Sequence, residues 1–256
     1  MPLPRSCNME SFKLSADTIM AQDPELAILP VGSLEQHGPH LPIMTDWAIA
    51  TELGRRVAEL TGGFLLPALP ISTCREQMGK KGSVWMEPPT FYAMMTDIIM
   101  SLKVQGFKKV AILQCHGGIF IMTPIIRDLN AKFNPELMVV NIDICTFFPR
   151  LYQEGVIETA TELHAGEVET SMILAIAPET VDMSKAVDEV PNVPRNYLSY
   201  GSLFRASKSG VWGESKCATA EKGEKCFQFC AKGAVEEMNK AFAYMEAKEK
   251  FGYSNF

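Results

Sequence analysis

Residues 27–69 read AILPVGSLEQHGPHLPIMTDWAIATELGRRVAELTGGFLLPAL and contain a strand, a helix and a second strand in succession. Short apolar runs at 27–31 and 64–69 are bounded by turn residues, a pattern typical of strands that are buried on both faces. A helical pattern occupies about 46–60 between them. Strands that alternate with helices predict a parallel sheet.

The same alternation continues through the rest of the chain. We therefore expect an α/β fold, in which one layered domain over residues 1–256 has a mostly parallel central sheet flanked by helices. The further strands are predicted at 110–113 and 137–144, and the further helices at about 88–105, 121–133 and 166–177.

Residues 178–217 differ from this pattern, because they carry many prolines and glycines and show little periodicity. We interpret them as a long ordered loop. Loops of this length inside a compact domain tend to be functional or disordered, and the aromatic residues here favour a packed lid or an oligomer contact. A last helix is predicted at about 218–249, where alanine, glutamate and lysine are frequent.

The composition argues against several classes of function. The chain has 47% hydrophobic and 21% charged residues, and its formal net charge of −6 includes no block of like charges, so neither nucleic acid nor a membrane is an expected partner. The longest apolar runs are far shorter than the ~20 residues of a spanning helix. The N-terminal segment lacks the apolar core of a signal peptide, and the seven cysteines form no CxxC pair. We expect a cytoplasmic protein without a disulfide framework.

The four histidines each lie within two residues of a glycine, and at least three of them follow a predicted strand or begin a helix. Ligands of open α/β sheets bind at such places. Glu35 and His37 are two residues apart, so an extended segment points both to one side. Asp46 begins the next helix, where it can cap the backbone and reach back to the loop. This donor set suits Zn, Mn or Fe, although a capped loop with a structural histidine is the simpler alternative.

Two further clusters follow. His116 comes directly after the strand at 110–113 and before two glycines, which allow the backbone to approach a metal or a substrate. His164 precedes a helix that carries Glu167 on the same face and Glu169 among apolar residues, where an acid needs a partner. The helix dipole alone would explain one of these two glutamates.

Together these segments resemble the creatininase (creatinine amidohydrolase) family over most of the chain. LPVGSLEQHGPHLPIMTD resembles the family's opening motif, QCHGG its NGHGG element, and HAGEVETSMILAIAP its HAGE-ET-S helix. The resemblance implies a mostly parallel α/β fold, two divalent metal ions and a homo-oligomer, often a hexamer. It also implies that Glu35 and His116 bind one metal, His37 the other, and Asp46 both. Zinc is the expected metal, with manganese or iron as alternatives.

The sequence departs from the family near these motifs. Creatininase has a metal-binding glutamate two positions after the histidine of its HGG element, where this chain has Gly118. We expect Glu169 to replace that ligand, with Glu167 as the second choice. The chain also lacks the family's tryptophan shortly before the HAGE-like helix and both asparagines of NGHGGN, so creatinine is not the expected substrate.

The predicted function is that of a metal-dependent amidohydrolase, which cleaves a C–N bond of a small cyclic amide, amidine or formamide-type metabolite with a metal-activated hydroxide. His164 would carry a proton to the leaving nitrogen and Glu167 would orient His164. Two alternatives stay open: a metal-binding oligomeric scaffold whose active site has decayed, and a thiol hydrolase that uses Cys115. Cys115 and His116 are adjacent at a strand end and point to opposite sides, which disfavours the thiol hydrolase.

Overall fold

A four-stranded parallel sheet lies at the centre of the computed structural model, which describes residues 9–247. The strands lie in the order second, first, third, fourth, so the chain starts near the middle of the sheet and builds outwards. This confirms the predicted α/β fold; the parts of the predicted domain at residues 1–8 and 248–256 lie outside the described residues. The strands are β1 (Leu26–Val31), β2 (Phe64–Leu65), β3 (Lys109–Gln114) and β4 (Met138–Asp143).

Helices cover both faces of this sheet. The helices are α1 (Ala16–Gln22), α2 (Thr45–Thr61), α3 (Pro88–Val104), α4 (Met122–Phe133), α5 (Phe148–Gln153), α6 (Glu167–Ile176) and α7 (Ala220–Glu246). The bounds of the five predicted helices agree with α2, α3, α4, α6 and α7 to within two residues over the described range, whereas α1 and α5 were not predicted.

Alternate residues of the central strands enter two separate hydrophobic cores, because successive side chains of a strand point to opposite faces. Ile28 of β1 lies in the core that α2, α6 and α7 complete, and Leu53 of α2 packs there. The next residue, Leu29, lies in the core beneath α3 and α4, with Met95 of α3. Burial on both faces explains why the strands are almost continuously apolar.

The second strand is shorter than the predicted run at 64–69. Regular pairing stops at Leu65: Leu66 N still donates to Ile28 O at 3.0 Å, but the next donor of the ladder would be the N–H of Pro30 in β1, which proline lacks. The chain returns to β1 at Leu69, whose N–H donates to Pro30 O at 3.0 Å and which forms an isolated bridge with Val31.

Residues 178–217, predicted as a long ordered loop, contain short 3-10 helices and a small antiparallel sheet. One contact is important for the site: Trp212 N donates to His164 O at 2.8 Å, and His164 N donates to Trp212 O at 3.0 Å. The small sheet consists of β5 (Asp188–Glu189) and β6 (Gly213–Glu214), and the 3-10 helices are Pro178–Thr180, Met183–Lys185, Arg195–Tyr200 and Leu203–Arg205.

Helices α6 and α7 pack closely against each other at Gly223. A Cβ atom at this position would lie 1.9 Å from Ser171 O, so only glycine allows the two backbones to come this near. Within residues 9–247 no helix is both long enough and apolar enough to cross a lipid bilayer. The remaining 3-10 helices of this range are Ser11–Lys13, Arg75–Gln77 and Ile144–Phe147.

Candidate metal centre

The loops that follow β1 and β3 meet at one edge of the sheet, because these parallel strands end side by side with Val31 paired to Gln114. The first loop carries Glu35 and the second carries His116. His116 Nδ1 lies 3.2 Å from Glu35 Oε2 and 3.1 Å from Asp46 Oδ2. The strand register therefore brings together donors that are far apart in the sequence.

Asp46 contacts a second histidine through its other oxygen. His37 Nε2 lies 2.9 Å from Asp46 Oδ1 and 3.7 Å from Glu169 Oε2. Asp46 thus stands between His116 on one side and the His37–Glu169 pair on the other. All these side chains are buried, and they form overlapping groups whose donor atoms lie within 4.8 Å of one another: Glu35, Asp46 and His116; His37, Asp46 and Glu169; and Glu35, His37 and His164.

Asp46 does not cap its helix, contrary to the expectation from the sequence. The residue before α2 is Met44, and no side chain accepts a hydrogen bond from the first turn. The carboxylate of Asp46 is turned into the site instead, where Ser33 Oγ lies 2.9 Å from Asp46 Oδ2 and 2.6 Å from Glu35 Oε2. Gly32 permits this arrangement, since a Cβ there would lie 2.6 Å from the backbone of Trp47.

The electrostatics of the cluster reflect many buried acids in a small volume. Burial, reinforced by Asp46, raises the pKa of Glu35 to about 8 against the opposing effect of His116. Burial also raises the pKa of Glu169 to about 7. Burial alone would lower the pKa of His37, but the neighbouring carboxylates of Asp46 and Glu169 raise it to about 10. The raised pKa of His37 shows that the neighbouring carboxylates favour positive charge at this position, as a cation site requires.

The donors fit a divalent metal ion. Glu35 Oε1 is buried and has no hydrogen-bond partner among the described residues. Buried polar atoms are almost always satisfied, so such an atom at the centre of a carboxylate and imidazole cluster is accounted for by a bound cation. Oxygen and imidazole donors together suit zinc, manganese and iron.

His164 lies beside these donors and is held by the first loop. Its ring centroid is 4.3 Å from that of His37, and its Nε2 lies 2.7 Å from Gln36 O, to which it donates. Nδ1 therefore carries the lone pair, which accepts a hydrogen bond from Gln77 Nε2 at 3.5 Å and lies 3.6 Å from Glu35 Oε1. Burial, together with His37, lowers the pKa of His164 well below its usual value. His164 is therefore a neutral base at the mouth of the cluster.

Glu167 does not orient His164, and this part of the prediction needs correction. Its carboxylate accepts hydrogen bonds from Glu158 N at 2.9 Å and Thr159 N at 2.8 Å, and it pairs with Lys222 Nζ at 2.5 Å. These contacts tie α6 to α7 and occupy both oxygens. Glu167 is also absent from the groups of possible metal donors among the described residues.

Sequence reasoning missed Glu76, Gln36 and Ser33. Glu76 Oε1 lies 3.0 Å from His116 Nε2, although Glu76 belongs to a segment that contains no recognisable metal motif. The one signal in the sequence was indirect: a glycine at position 118 leaves room for a side chain from elsewhere. The contact itself depends on the tertiary path of the chain.

Cys115 faces away from the site, as predicted from its place next to His116. It is buried in the core on the α2 and α7 side, and its Sγ lies 3.8 Å from Leu113 O. Burial raises the pKa of this thiol well above its usual value. A thiol that resists ionisation is a poor nucleophile, which argues against a thiol hydrolase.

Comparison with known proteins gives a consistent result. The sequence model of the family described as creatininase, creatinine amidohydrolase, matches residues 13–238. The creatinine amidohydrolase of Pseudomonas putida is 28% identical over 232 residues, which are 84% of this chain and 89% of that protein. The 3-dehydro-scyllo-inosose hydrolase of Thermotoga maritima is 31% identical over 189 residues, which are 71% of this chain and 59% of that protein.

Solved structures agree with the sequence matches. A crystal structure of creatinine amidohydrolase superposes with a TM-score of 0.78 and 26% identity, over 93% of this chain and 99% of that one. Similar structures include one described as creatininase Mn and a mutant described as Zn-Zn type. One further relative by sequence is a deformylase of Methanocaldococcus infernus, whose substrate is named as 2-amino-5-formylamino-6-ribosylaminopyrimidin-4(3H)-one 5'-monophosphate. It is 30% identical over 125 residues, which are 47% of this chain and 54% of that protein.

Proposed function

This chain belongs to the creatininase family, and on that premise we propose that it is a metal-dependent hydrolase of a small cyclic amide, amidine or formamide-type metabolite. Relatives named as an amidohydrolase and as a deformylase support hydrolysis of a C–N bond. The observation that carries the proposal is the buried set of carboxylates and imidazoles at the ends of β1 and β3.

We infer two divalent ions, with zinc expected first and manganese or iron as alternatives. Glu35 and His116 would hold one ion, His37 and Glu169 the other, and Asp46 both. The two contacts of Asp46 support this sharing, because its separate oxygens face His116 and His37. When bound, such ions polarise a carbonyl and lower the pKa of a water molecule towards about 7.

His164 would serve as the proton carrier of the reaction. Its Nε2 is committed to Gln36 O, so only Nδ1 can take up a proton and pass it to the leaving nitrogen. A neutral imidazole is the form that can accept this proton. The backbone pairing with Trp212 fixes the position of His164 relative to the cluster.

The shape of the cleft beside the metal centre favours a small substrate. Its walls include Gly117, Gly118 and Phe120 together with Leu198, and Arg195 lies at its rim. A larger cavity of about 430 Å³ adjoins this cleft. That volume fits a metabolite or a short substituent beyond the scissile bond.

Metal analysis and activity together test the proposal. Protein refolded with Zn²⁺ or Mn²⁺ should retain about two ions per chain, and His37→Ala should lose at least one. His40→Ala is a matched control, since His40 is a buried imidazole that contacts Thr170 Oγ1 at 2.9 Å instead of the carboxylates. Less than one ion per chain in the unaltered protein would favour the decayed scaffold.

The substrate class needs a separate screen. Small lactams, cyclic amidines and formamides, with creatinine as a comparison, should be tested on the zinc- and manganese-loaded protein. We expect turnover that a chelator abolishes and that His164→Ala reduces by a factor of about 10²–10⁴, the usual contribution of a general acid–base group. Turnover that survives chelation would contradict a metal-dependent reaction.

We also propose that the protein is cytoplasmic and a homo-oligomer, with a hexamer as the expected size. The family resemblance supports this assembly. Light scattering coupled to size-exclusion chromatography would measure it directly, and a monomer at micromolar concentration would contradict it.

A further inference from the structure

Glu76 reaches the metal centre from a segment that contributes no residue to the groups of possible metal donors found within residues 9–247. It lies in the 3-10 helix Arg75–Gln77, between β2 and α3, and its side chain is 13% exposed. Its Oε1 is 3.0 Å from His116 Nε2. Neither atom has a hydrogen-bond partner among the described residues, since this contact has the distance of a hydrogen bond but not its alignment. Two buried, unsatisfied polar atoms thus face each other at the edge of the site.

The carboxylate of Glu76 fills a space that glycine leaves empty. A Cβ atom at Gly118 would lie 2.0 Å from Glu76 Oε1 and 2.4 Å from His116 Nε2. Both separations are far below any real contact, so a side chain at position 118 and the present positions of Glu76 and His116 exclude each other. The observed position of the Glu76 carboxylate therefore requires a glycine at position 118.

The two nitrogens of His116 face different groups. Nδ1 points to Glu35 and Asp46 at 3.1–3.2 Å, and Nε2 points to Glu76. A histidine binds a metal through one nitrogen and usually donates the N–H of the other to a carboxylate or a carbonyl, which fixes its tautomer and ring orientation. Glu76 stands where that second partner is required.

We propose that Glu76 is a positioning residue of the metal centre, whose carboxylate accepts the Nε2 proton of His116 and so directs Nδ1 to the metal held by Glu35 and Asp46. This inference rests on the proposed metal-dependent function. It assigns to Glu76 no direct bond to the metal. It also explains why position 118 carries no side chain.

The affinity of the protein for metal tests the assignment without an assay of activity. Competition with a chromogenic chelator should show that Glu76→Gln and Glu76→Ala bind Zn²⁺ about 10–100-fold more weakly, the usual effect of removing such a partner, with the number of ions per chain unchanged. Glu76→Asp should recover part of the loss. Glu179→Gln removes an exposed carboxylate and is the matched control. The visible spectrum of the Co²⁺-loaded protein should shift in Glu76→Gln, because the basicity of His116 changes.

A double-mutant cycle tests whether a side chain at position 118 and the carboxylate of Glu76 compete for the same space, called here the shared space. Gly118→Ala should weaken Zn²⁺ binding by displacing Glu76 and His116, and the same substitution should cost less in the Glu76→Ala background, so that the two losses are not additive. Circular dichroism before and after metal loading shows whether each variant is folded.

The outcomes separate this inference from the proposed function. If the unaltered protein binds no metal, the proposed function fails and the inference fails with it. If the unaltered protein binds two ions and the Glu76 variants bind them equally tightly, only the inference is wrong. Loss of one whole ion in Glu76→Gln would make Glu76 a ligand and overturn the positioning role, and additive losses in the cycle would overturn the shared space.

Discussion

Glu167→Ala should destabilise the fold while leaving the metal centre intact, and Glu169→Ala should do the reverse. The two glutamates are two residues apart on α6, so they point to nearly opposite sides of the helix. Glu167 faces Lys222 on α7, and Glu169 Oε2 faces His37. Each of the two variants is therefore the control for the other within the same helix.

The magnitude for Glu167→Ala follows from its contacts. The substitution leaves the N–H groups of Glu158 and Thr159 without their acceptor. Thr159 is buried, so its N–H costs about 1–3 kcal/mol, whereas Glu158 is exposed and its N–H can bind water. Lys222 loses one partner but keeps Cys217 O at 2.8 Å and Glu158 Oε1 at 2.8 Å. We expect a loss of about 1–3 kcal/mol in the free energy of unfolding, chiefly from the buried N–H of Thr159.

Urea unfolding of the metal-free protein measures the stability, and chelator competition measures the affinity for Zn²⁺. We expect Glu167→Ala to lose stability and to bind Zn²⁺ within threefold of the unaltered protein. Glu169→Ala should weaken Zn²⁺ binding at least tenfold. The reasoning fails if Glu167→Ala unfolds at the same urea concentration as the unaltered protein, or if it loses metal while its stability is unchanged.

Three further predictions concern the remaining parts of the site. Zn²⁺ at about 100 times its dissociation constant should stabilise the protein by about 2.7 kcal/mol per site, and a chelator should reverse the rise in melting temperature; an unchanged melting temperature would argue against a metal in the folded state. Cys115→Ala should keep both metal and turnover, because the thiol is buried away from the cleft; loss of turnover with metal retained would revive the thiol reaction. Gly32→Ala should cost more than about 3 kcal/mol of unfolding free energy, since its Cβ would lie 2.6 Å from the backbone of α2, and a stability within 0.5 kcal/mol of the unaltered protein, about the usual limit for surface changes, would show that α2 can move.

The sheet could be predicted from the sequence because its strands are buried on both faces. Each strand is therefore a continuous apolar run, which can be recognised without knowing which strands lie beside it. The runs at 27–31 and 110–113 correspond to β1 and β3 to within one residue at each end. The run at 64–69 was predicted too long, since an apolar run does not reveal that its partner in the ladder is Pro30, which has no N–H to donate. Local composition thus predicts where strands lie, and the lack of a backbone N–H at proline determines where their pairing ends.

The site was partly predictable for a geometric reason. Parallel strands end at one edge, so loops that carry histidines after two such strands must meet there. The structure brings Glu35, His37, Asp46 and His116 together as expected, and their role as ligands remains a prediction. The helical period would have shown that Glu167 and Glu169 cannot both face the site. No comparable rule connects Glu76 to His116, since their contact depends on the path of the segment between β2 and α3.

The segment 178–217 was predicted to be a lid or an oligomer contact, and its contacts limit what it can do. Trp212 exchanges two backbone hydrogen bonds with His164, and Gly210 O accepts a hydrogen bond from Gln36 Nε2 at 3.0 Å. Opening the chain at residues 210–212 would break these bonds and release the imidazole that is to carry the proton. Residues 210–212 therefore hold His164 and Gln36 in position at the metal centre. The same segment 178–217 also supplies Arg195 and Leu198 to the lining of the cleft, and Arg195 Nη2 donates to Gly117 O at 3.4 Å, so it closes one side of the cleft as well.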